Sequence, residues 1–312
     1  MRALVTGGAG FIGSHLVSLL VKRGDHVRVL DNFSTGRREN LAEFSDRIEL
    51  IEADAADPAV CARVCEGMNV VFHQAAAPSV PRSVADPLGS HRSNVDATLA
   101  LLMAARDAGV RRFVYAASSS AYGDSDVLPK VETLPTQPLS PYAVQKLACE
   151  NYCRAFYECY GLPTISLRYF NVFGPRQDPS SQYAAAIPAF IEAALNDRPP
   201  VVYGDGLQSR DFTYVDNVVD ANVRAAEVKE THGEVVNIAG GRRVTILETI
   251  ERIGAILHKT IHPQHEPART GDIRHSWADI TLAQQVIGYR PGVSLSEGLR
   301  RTIESYTTRQ VS

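Results

Sequence analysis

The segment RALVTGGAGFIGSH, residues 2 to 15, constrains the fold more than any other part of the chain. An apolar run through Ala3, Leu4 and Val5 breaks into Gly7, Gly8, Gly10 and Gly13, and apolar residues at helical spacing follow. The spacing satisfies both G-x-G-x-x-G and G-x-x-G-x-x-G. Glycine permits the tight turn and lets backbone N–H groups at a helix N-terminus approach an anion with no Cβ in the way. The next strand-like run, HVRVLD, closes on Asp31, 18 residues after Gly13. Strand, glycine turn, helix and acid in that order predict a dinucleotide with its pyrophosphate on the turn and its ribose hydroxyls on Asp31. The charge of Asp31 would repel a 2′-phosphate and so favours NAD over NADP. Arg37 and Arg38 point the other way, because arginines near this turn can accommodate that phosphate. Asp54, at the end of the third strand, is a candidate for the adenine edge.

Further runs RALVTG, HVRVLD, IELIEAD, NVVFHQA, RRFVYAAS and TISLRYF alternate with helical stretches over 13–23, 94–108 and 141–160. This alternation predicts an α/β fold with a doubly wound parallel sheet. Residues 1–170 read as the dinucleotide-binding domain and 171–312 mainly as a smaller substrate lobe, with part of 213–240 returning to the first. The long Gly-, Pro- and Arg-rich connections of the second half are expected to shape a binding site against the carboxyl edge of the sheet.

Composition narrows the partners. A net charge of −3 with 21% charged residues gives no electrostatic reason to expect nucleic acid or an anionic membrane. No apolar run approaches the roughly 18 residues of a membrane helix, and no hydrophobic leader precedes the first strand, so a cytoplasmic location is expected. The five cysteines, Cys61, Cys65, Cys149, Cys153 and Cys159, contain no C-x-x-C pair and are expected to be free thiols. Pro263 and Pro267 deny His262 and His265 a common helix face, so no metal is expected.

The segment SPYAVQK places Tyr142 and Lys146 four residues apart at the start of the helix over 141–160. On a helix that spacing puts both on one face, with about 5 to 6 Å between Cβ atoms. Bringing a phenol from about pH 10 to about 7 takes roughly 4 kcal/mol of preferential phenolate stabilisation, which an ammonium and a cationic nicotinamide could jointly supply. Tyr142 would then serve as a base toward a substrate hydroxyl. Ser118 ends the strand RRFVYAAS at the sheet edge where such folds bind ligands, 24 residues before Tyr142.

Glycine turn, Asp31, Ser118 and Tyr-x-x-x-Lys in that order resemble the short-chain dehydrogenase/reductase superfamily, in its extended branch. TGGAGFIGSH, DNFSTG, SPYAVQK, LRYFNVFGP and SRDFTYVDN look specifically like the nucleotide-sugar 4-epimerases. The resemblance implies that Ser118, Tyr142 and Lys146 are catalytic. It implies a cofactor site of Gly7, Gly10, Phe11, Ile12, Gly13, Asp31, Asn32, Gly36, Asp54, Ala55, Gln74, Ala75, Ala76, Asn94, Tyr142, Lys146 and Tyr169. It implies a UDP-sugar site of Ser79, Ser118, Ser119, Ser120, Tyr142, Asn171, Ala185, Tyr203, Arg210, Arg269, Asp272 and Ser276. There Asn171, Arg210 and Arg269 would hold the diphosphate, Tyr203 would pack on uracil and Asp272 would reach the nucleoside.

Resembling dehydratases carry Asp-Glu where Ser119 and Ser120 stand, and uronate decarboxylases carry glutamate at the position of Ser120, so epimerisation fits better than either. The resemblance also places Ser276 at the C2 substituent of the sugar and Ala185 near the same end of the pocket, where small residues admit an acetamido group. UDP-GlcNAc and UDP-GalNAc are therefore expected as substrates, with some activity on UDP-Glc. Three alternatives stay open: an enzyme for UDP-glucose only, a UDP-glucuronate 4-epimerase needing a cationic contact that the sequence does not place, and a non-catalytic NAD sensor. The helices over 94–108 and 141–160 leave more than one apolar face to bury, and in the resembling family such helices pair into a homodimer.

Overall fold

The computed structural model describes residues 1–178, 186–268 and 273–311. The first half alternates strand and helix: β1 (Arg2–Thr6), α1 (Phe11–Lys22), β2 (His26–Asp31), β3 (Ile48–Glu52), α2 (Pro58–Cys65) and β4 (Val70–His73). Two short helices, α3 (Val80–Ala85) and α4 (Pro87–His91), lead through a π-helical turn into α5 (Ala97–Asp107), followed by β5 (Arg112–Ser118), α6 (Pro141–Tyr160) and β6 (Thr164–Tyr169). The second half has shorter elements: β7 (Val172–Phe173), α7 (Ala186–Leu195), β8 (Val201–Tyr203), β9 (Ser209–Asp211), β10 (Thr213–Tyr214), α8 (Val215–Glu227), β11 (Glu234–Ile238), β12 (Arg243–Thr245), α9 (Ile246–Leu257), β13 (Gln264–Glu266), α10 (Thr281–Ile287) and α11 (Leu295–Val311).

Seven strands form one sheet in the order β11-β6-β5-β4-β1-β2-β3, with every pairing parallel. The continuous burial of β4 and β6 is what a parallel sheet covered on both faces demands. Alternate residues supply the two cores. Val5, Val29, Phe72 and Leu167 pack with Leu16 and Leu20 of α1 and Val218 of α8, while Leu4, Leu30, Val71 and Phe113 pack with α2, α5 and α6. Cys61, Cys65, Cys149 and Cys153 are free thiols within the second core, and Cys159 is exposed. No described helix is long and apolar enough to cross a membrane.

The chain winds outward from β1 to β3, then returns past β1 to β4 and winds the other way. This reversal opens a crevice between β1 and β4 at their carboxyl ends. β11 joins the far edge beside β6, and α8 packs on α1, so residues 215–238 lie with the sheet. The rest of the second half is built around β7 with β10, β8 with β13 and β9 with β12. The segment between β5 and α6 ties the two parts together, since Lys130 N–H donates to the Trp277 carbonyl at 2.7 Å and the Lys130 carbonyl accepts from Asp279 N–H at 2.9 Å.

Local signals set the helix that carries the tyrosine. Ser140 caps α6 by accepting from Ala143 N–H, Pro141 occupies the first turn where no N–H is needed, and Gly161 ends the helix in the left-handed region. The glycine turn is equally specified. Gly7 has φ of +66°, and a Cβ there would stand 2.7 Å from the backbone of Ala75. A Cβ on Gly13 would stand 2.1 Å from the Gly7 carbonyl oxygen, closing the turn against itself. Gly10 differs: a Cβ there would meet only the Gly7 oxygen, at 3.1 Å, and its other side opens to the crevice. Gly13→Ala should therefore cost about 1–3 kcal/mol in urea unfolding through overpacking. Gly10→Ala should unfold near the wild-type midpoint yet lose tight dinucleotide retention. Equal effects of the two substitutions on both readouts would contradict this division of labour.

Candidate active site

The crevice has a volume of about 1240 Å³. Pockets for one small molecule span roughly 300–1,000 Å³, so this one has room for a dinucleotide and a second ligand together. Gly10, Phe11, Ile12 and Gly36 line it at one end, Ser118, Ser119, Ser120, Tyr142 and Tyr169 at the middle, and Asn171, Arg210 and Ser276 at the other.

At the first end Asp31 is nearly buried, and its two carboxylate oxygens accept from Ala9 N–H and Phe33 N–H, each at 2.8 Å. These bonds pin the glycine turn to the loop after β2 and leave further lone pairs for hydroxyl donors. A Cβ on Gly36 would stand 2.8 Å from Asp31 Oδ1, so glycine lets that loop close over the carboxylate. Arg37 pairs with Asp178 at 2.7 Å, and Arg38 pairs with Glu52 while covering the Phe33 ring at 4.2 Å. A 2′-phosphate would have to take either guanidinium from a carboxylate. The residues present thus fit NAD.

Other residues expected at the cofactor stand behind the lining. Ala75 backs the glycine turn, Ala76 follows it, and the Gln74 amide donates to Asn222 at 2.9 Å and accepts from the Tyr169 hydroxyl at 3.2 Å. Asn94 is buried, accepts from Ala77 N–H at 2.8 Å and donates to Gln145 at 2.8 Å, so it shapes the loop after β4 from beneath. Asn32 is exposed and accepts from Ser34 N–H, Asp54 pairs with Arg92 at 3.6 Å, and buried Ala55 accepts from the Cys61 thiol at 3.1 Å.

At the middle, Ser118 accepts from the Ser120 hydroxyl at 2.9 Å and from Ser120 N–H at 3.2 Å. Tyr142 enters from the first turn of α6, where its N–H donates to the Ser83 hydroxyl at 3.1 Å. Burial holds the Tyr142 phenol above its ordinary value, and the Ser118 hydroxyl pulls it part of the way back. Lys146 is buried one turn later, donates to the Ala116 carbonyl at 2.9 Å and stands 4.9 Å over the Tyr115 ring. Burial pushes this ammonium down to about 8. The sequence suggested an ammonium and a cationic nicotinamide acting jointly on the phenol; in the protein alone the ammonium is bonded to the Ala116 carbonyl and the phenol is raised.

At the far end Asn171 has φ of +36° and donates to the Asp211 carbonyl at 3.1 Å, while Arg210 Nη1 donates to the carbonyls of Ser209 and Arg274 at 3.0 and 3.2 Å. Ser276 is tied to β9 through its N–H to the Ser209 carbonyl at 2.9 Å. Ser79 caps α3 by accepting from Arg82 N–H at 3.2 Å and also lines the crevice. Tyr203 ends β8 away from the lining, its carbonyl accepting from Gln208. Ala185, Arg269 and Asp272 lie outside the described residues.

Sequence reasoning missed Tyr122, Arg82, Lys130, Arg176 and His275, all of which line the crevice. Tyr122 is held there by the Arg168 guanidinium 4.7 Å from its ring and by its hydroxyl donating to Asn237 at 2.7 Å. Arg168 in turn grips Glu150, four residues beyond Lys146, with its shortest contact at 2.7 Å. Those partners are far apart in sequence, so no local pattern marks Tyr122.

With this geometry in place, the comparisons agree on one family. The model of the NAD-dependent epimerase/dehydratase family matches residues 3–239. A UDP-glucose 4-epimerase of Mycolicibacterium smegmatis is 41% identical over 99% of this chain and 99% of its own. The solved UDP-N-acetylglucosamine 4-epimerase of Methanobrevibacter ruminantium, in complex with UDP-N-acetylmuramic acid, superposes with a TM-score of 0.95 at 42% identity, covering 99% of this chain and 98% of that one. The UDP-glucose 4-epimerase of Thermotoga maritima with UDP-glucose gives 0.94 at 38% identity over 99% of this chain and all of that one, 100%. The family model spans more than half of the chain and the relatives match along nearly all of it, so the chain belongs to the NAD-dependent epimerase/dehydratase family.

Proposed function

We propose that this protein is a UDP-sugar 4-epimerase that interconverts UDP-GlcNAc and UDP-GalNAc, with lower activity on UDP-Glc and UDP-Gal. The observation that carries the reading is the company kept by Tyr142. Its neighbours along the middle of the crevice are the hydroxyls of Ser118, Ser119 and Ser120, with no carboxylate among the described lining residues there. Eliminating water from the sugar would need an acid and a base beside the reacting carbons. One proton-exchanging group suffices for oxidation and reduction at a single carbon.

When bound, NAD supplies the hydride acceptor and donor for C4 and, while oxidised, a positive nicotinamide ring. Ser118 holds the 4-hydroxyl by hydrogen bonding, and Tyr142 takes its proton as C4 becomes a ketone. Lys146, fixed at the sheet edge by Ala116, holds the cofactor ribose and keeps a positive charge one turn behind the phenol. The crevice is wide enough for the keto sugar to present its opposite face, after which Tyr142 returns the proton to the new 4-hydroxyl. Asn171 and Arg210 hold the UDP diphosphate, the arginine through charge-assisted bonds, and keep the nucleotide in place while the sugar turns.

Ser276 supports the acetamido substrate because it lines the crevice with a small side chain. UDP-glucuronate remains a second reading on one observation: Arg82, three residues after Ser79, brings a guanidinium to the same lining. Assays with UDP-GlcNAc, UDP-Glc and UDP-GlcA separate these, and failure of all three would favour the NAD sensor. Tyr142→Phe should keep the fold and the bound NAD while lowering turnover about 100- to 10,000-fold; near-normal turnover would remove the phenol from the reaction. Ser276→Tyr should suppress UDP-GlcNAc epimerisation about 5- to 150-fold more than UDP-Glc epimerisation, through overlap with the acetamido group. Equal loss on both substrates would show that Ser276 is not the gate.

A homodimer through α4, α5 and α6 is part of the same reading. Leu88, Met103, Val144 and Tyr152 expose apolar surface on these helices, with Leu88 82% exposed. A symmetric pairing would bury them. Sedimentation should give twice the chain mass of 34.0 kDa; a monomer mass independent of concentration would count against it.

A further inference from the structure

Asp211 ends β9 one residue beyond Arg210, is 0% exposed and does not line the crevice. Its carboxylate is held by backbone N–H groups from two separate loops. Oδ1 accepts from Gly240 at 2.9 Å, and Oδ2 accepts from Ala278 at 3.4 Å. The N–H groups of Gly241 and Arg242 also face it. Its own carbonyl accepts from the Asn171 side chain at 3.1 Å. Gly240 makes the approach possible, since a Cβ there would stand 2.7 Å from the Phe212 carbonyl oxygen and 3.1 Å from Asp211 Oδ1.

A buried carboxylate is costly unless its oxygens are hydrogen-bonded. Here burial pushes the carboxyl up to about 7 against the pull of those N–H groups. The carboxylate therefore holds its loops at a desolvation cost that a neutral side chain would avoid. Two of the pieces so joined, β9 and the Ala278 loop, bear on the far end of the crevice, while the Gly240 loop stands outside the lining. One loop leads to Ser276 by way of Ala278, the other follows β11, and β9 itself carries Arg210 and anchors Ser276 through the Ser209 carbonyl.

We propose that Asp211 is the positioning residue of the substrate end: its carboxylate clamps the loops at Gly240 and Ala278 onto β9, so that Asn171, Arg210 and Ser276 face one ligand together. The inference rests on assigning that end to a UDP-sugar. Asp211 touches no reacting atom, so its loss should be felt in binding and not in the chemical step.

Asp211→Asn keeps the shape but turns an amide N–H₂ toward one of the backbone donors. A hydrogen bond to a charged group is worth about 1.5–3 kcal/mol, or roughly 10- to 150-fold in affinity. The variant should raise KM for the UDP-hexose and Kd for UDP by that factor, with kcat within about threefold of wild type and the bound NAD content unchanged. A folded variant with wild-type KM and UDP affinity, or with kcat lowered at constant KM, would overturn the proposal. Where Asp211→Asn does not fold, Gly240→Ala decides: it leaves the carboxylate in place and pushes its loop away, and should raise KM and the UDP Kd alike, whereas wild-type values would overturn the clamp. Calorimetry of UDP on the wild-type holoenzyme keeps the two levels apart, since no UDP binding there refutes the UDP-sugar assignment itself.

Discussion

The close approach of the backbone at Gly7 to that at Ala75 is the contact on which the rest of the site depends. It brings the turn after β1 against the chain leaving β4 at the one place where the winding of the sheet reverses, with no side chain between them. Everything expected to meet the cofactor is measured from that contact. Asp31 is tied to the turn through Ala9, and the Gln74–Tyr169–Asn222 group lies under the chain leaving β4. A residue with a Cβ at position 7 would separate β1 from β4 or force the turn outward, and the crevice would lose its floor.

The middle of the crevice shows how one helix can divide acid–base work between neighbouring side chains. Tyr142, Lys146 and Glu150 recur every four residues along α6, one stripe of a single face. Tyr142 opens to the crevice, Lys146 turns into the edge of β5, and Glu150 pairs with Arg168 deeper in the sheet. Positive and negative charges alternate away from the phenol. The phenol itself stays above its ordinary value in the protein alone.

Much of this was legible in the sequence, for physical reasons that differ from residue to residue. The glycine turn, Asp31 and the bounds of α6 are local: a strand, a cap, a proline and a terminal glycine each declare themselves within a few residues. Ser118 was legible because a buried run that ends in serine places it at a sheet edge. Tyr122 and Asp211 were not. Tyr122 is oriented by Arg168 and Asn237, and Asp211 by Gly240 and Ala278, partners distant in the chain, of which Asn237 and Gly240 arrive only when β11 returns to the sheet beside β6. The direction of Lys146 was hidden for the same reason, since helical spacing gives the face and not the acceptor across from it. The contacts of Asp54 with Arg92 and of Asn94 with the Ala77 loop were hidden likewise, since each partner lies well away in the chain.

Under the proposed function, hydride leaves and returns to C4 within the crevice while Tyr142 exchanges the proton. The most direct test of this claim is the fate of deuterium placed at C4 of UDP-GlcNAc, followed by NMR in ordinary water with the enzyme as purified and no added cofactor. The expected result is a mixture of UDP-GlcNAc and UDP-GalNAc in which both epimers keep the label at C4. Loss of the label to solvent, or inversion that needs a stoichiometric supply of added cofactor, would contradict the claim.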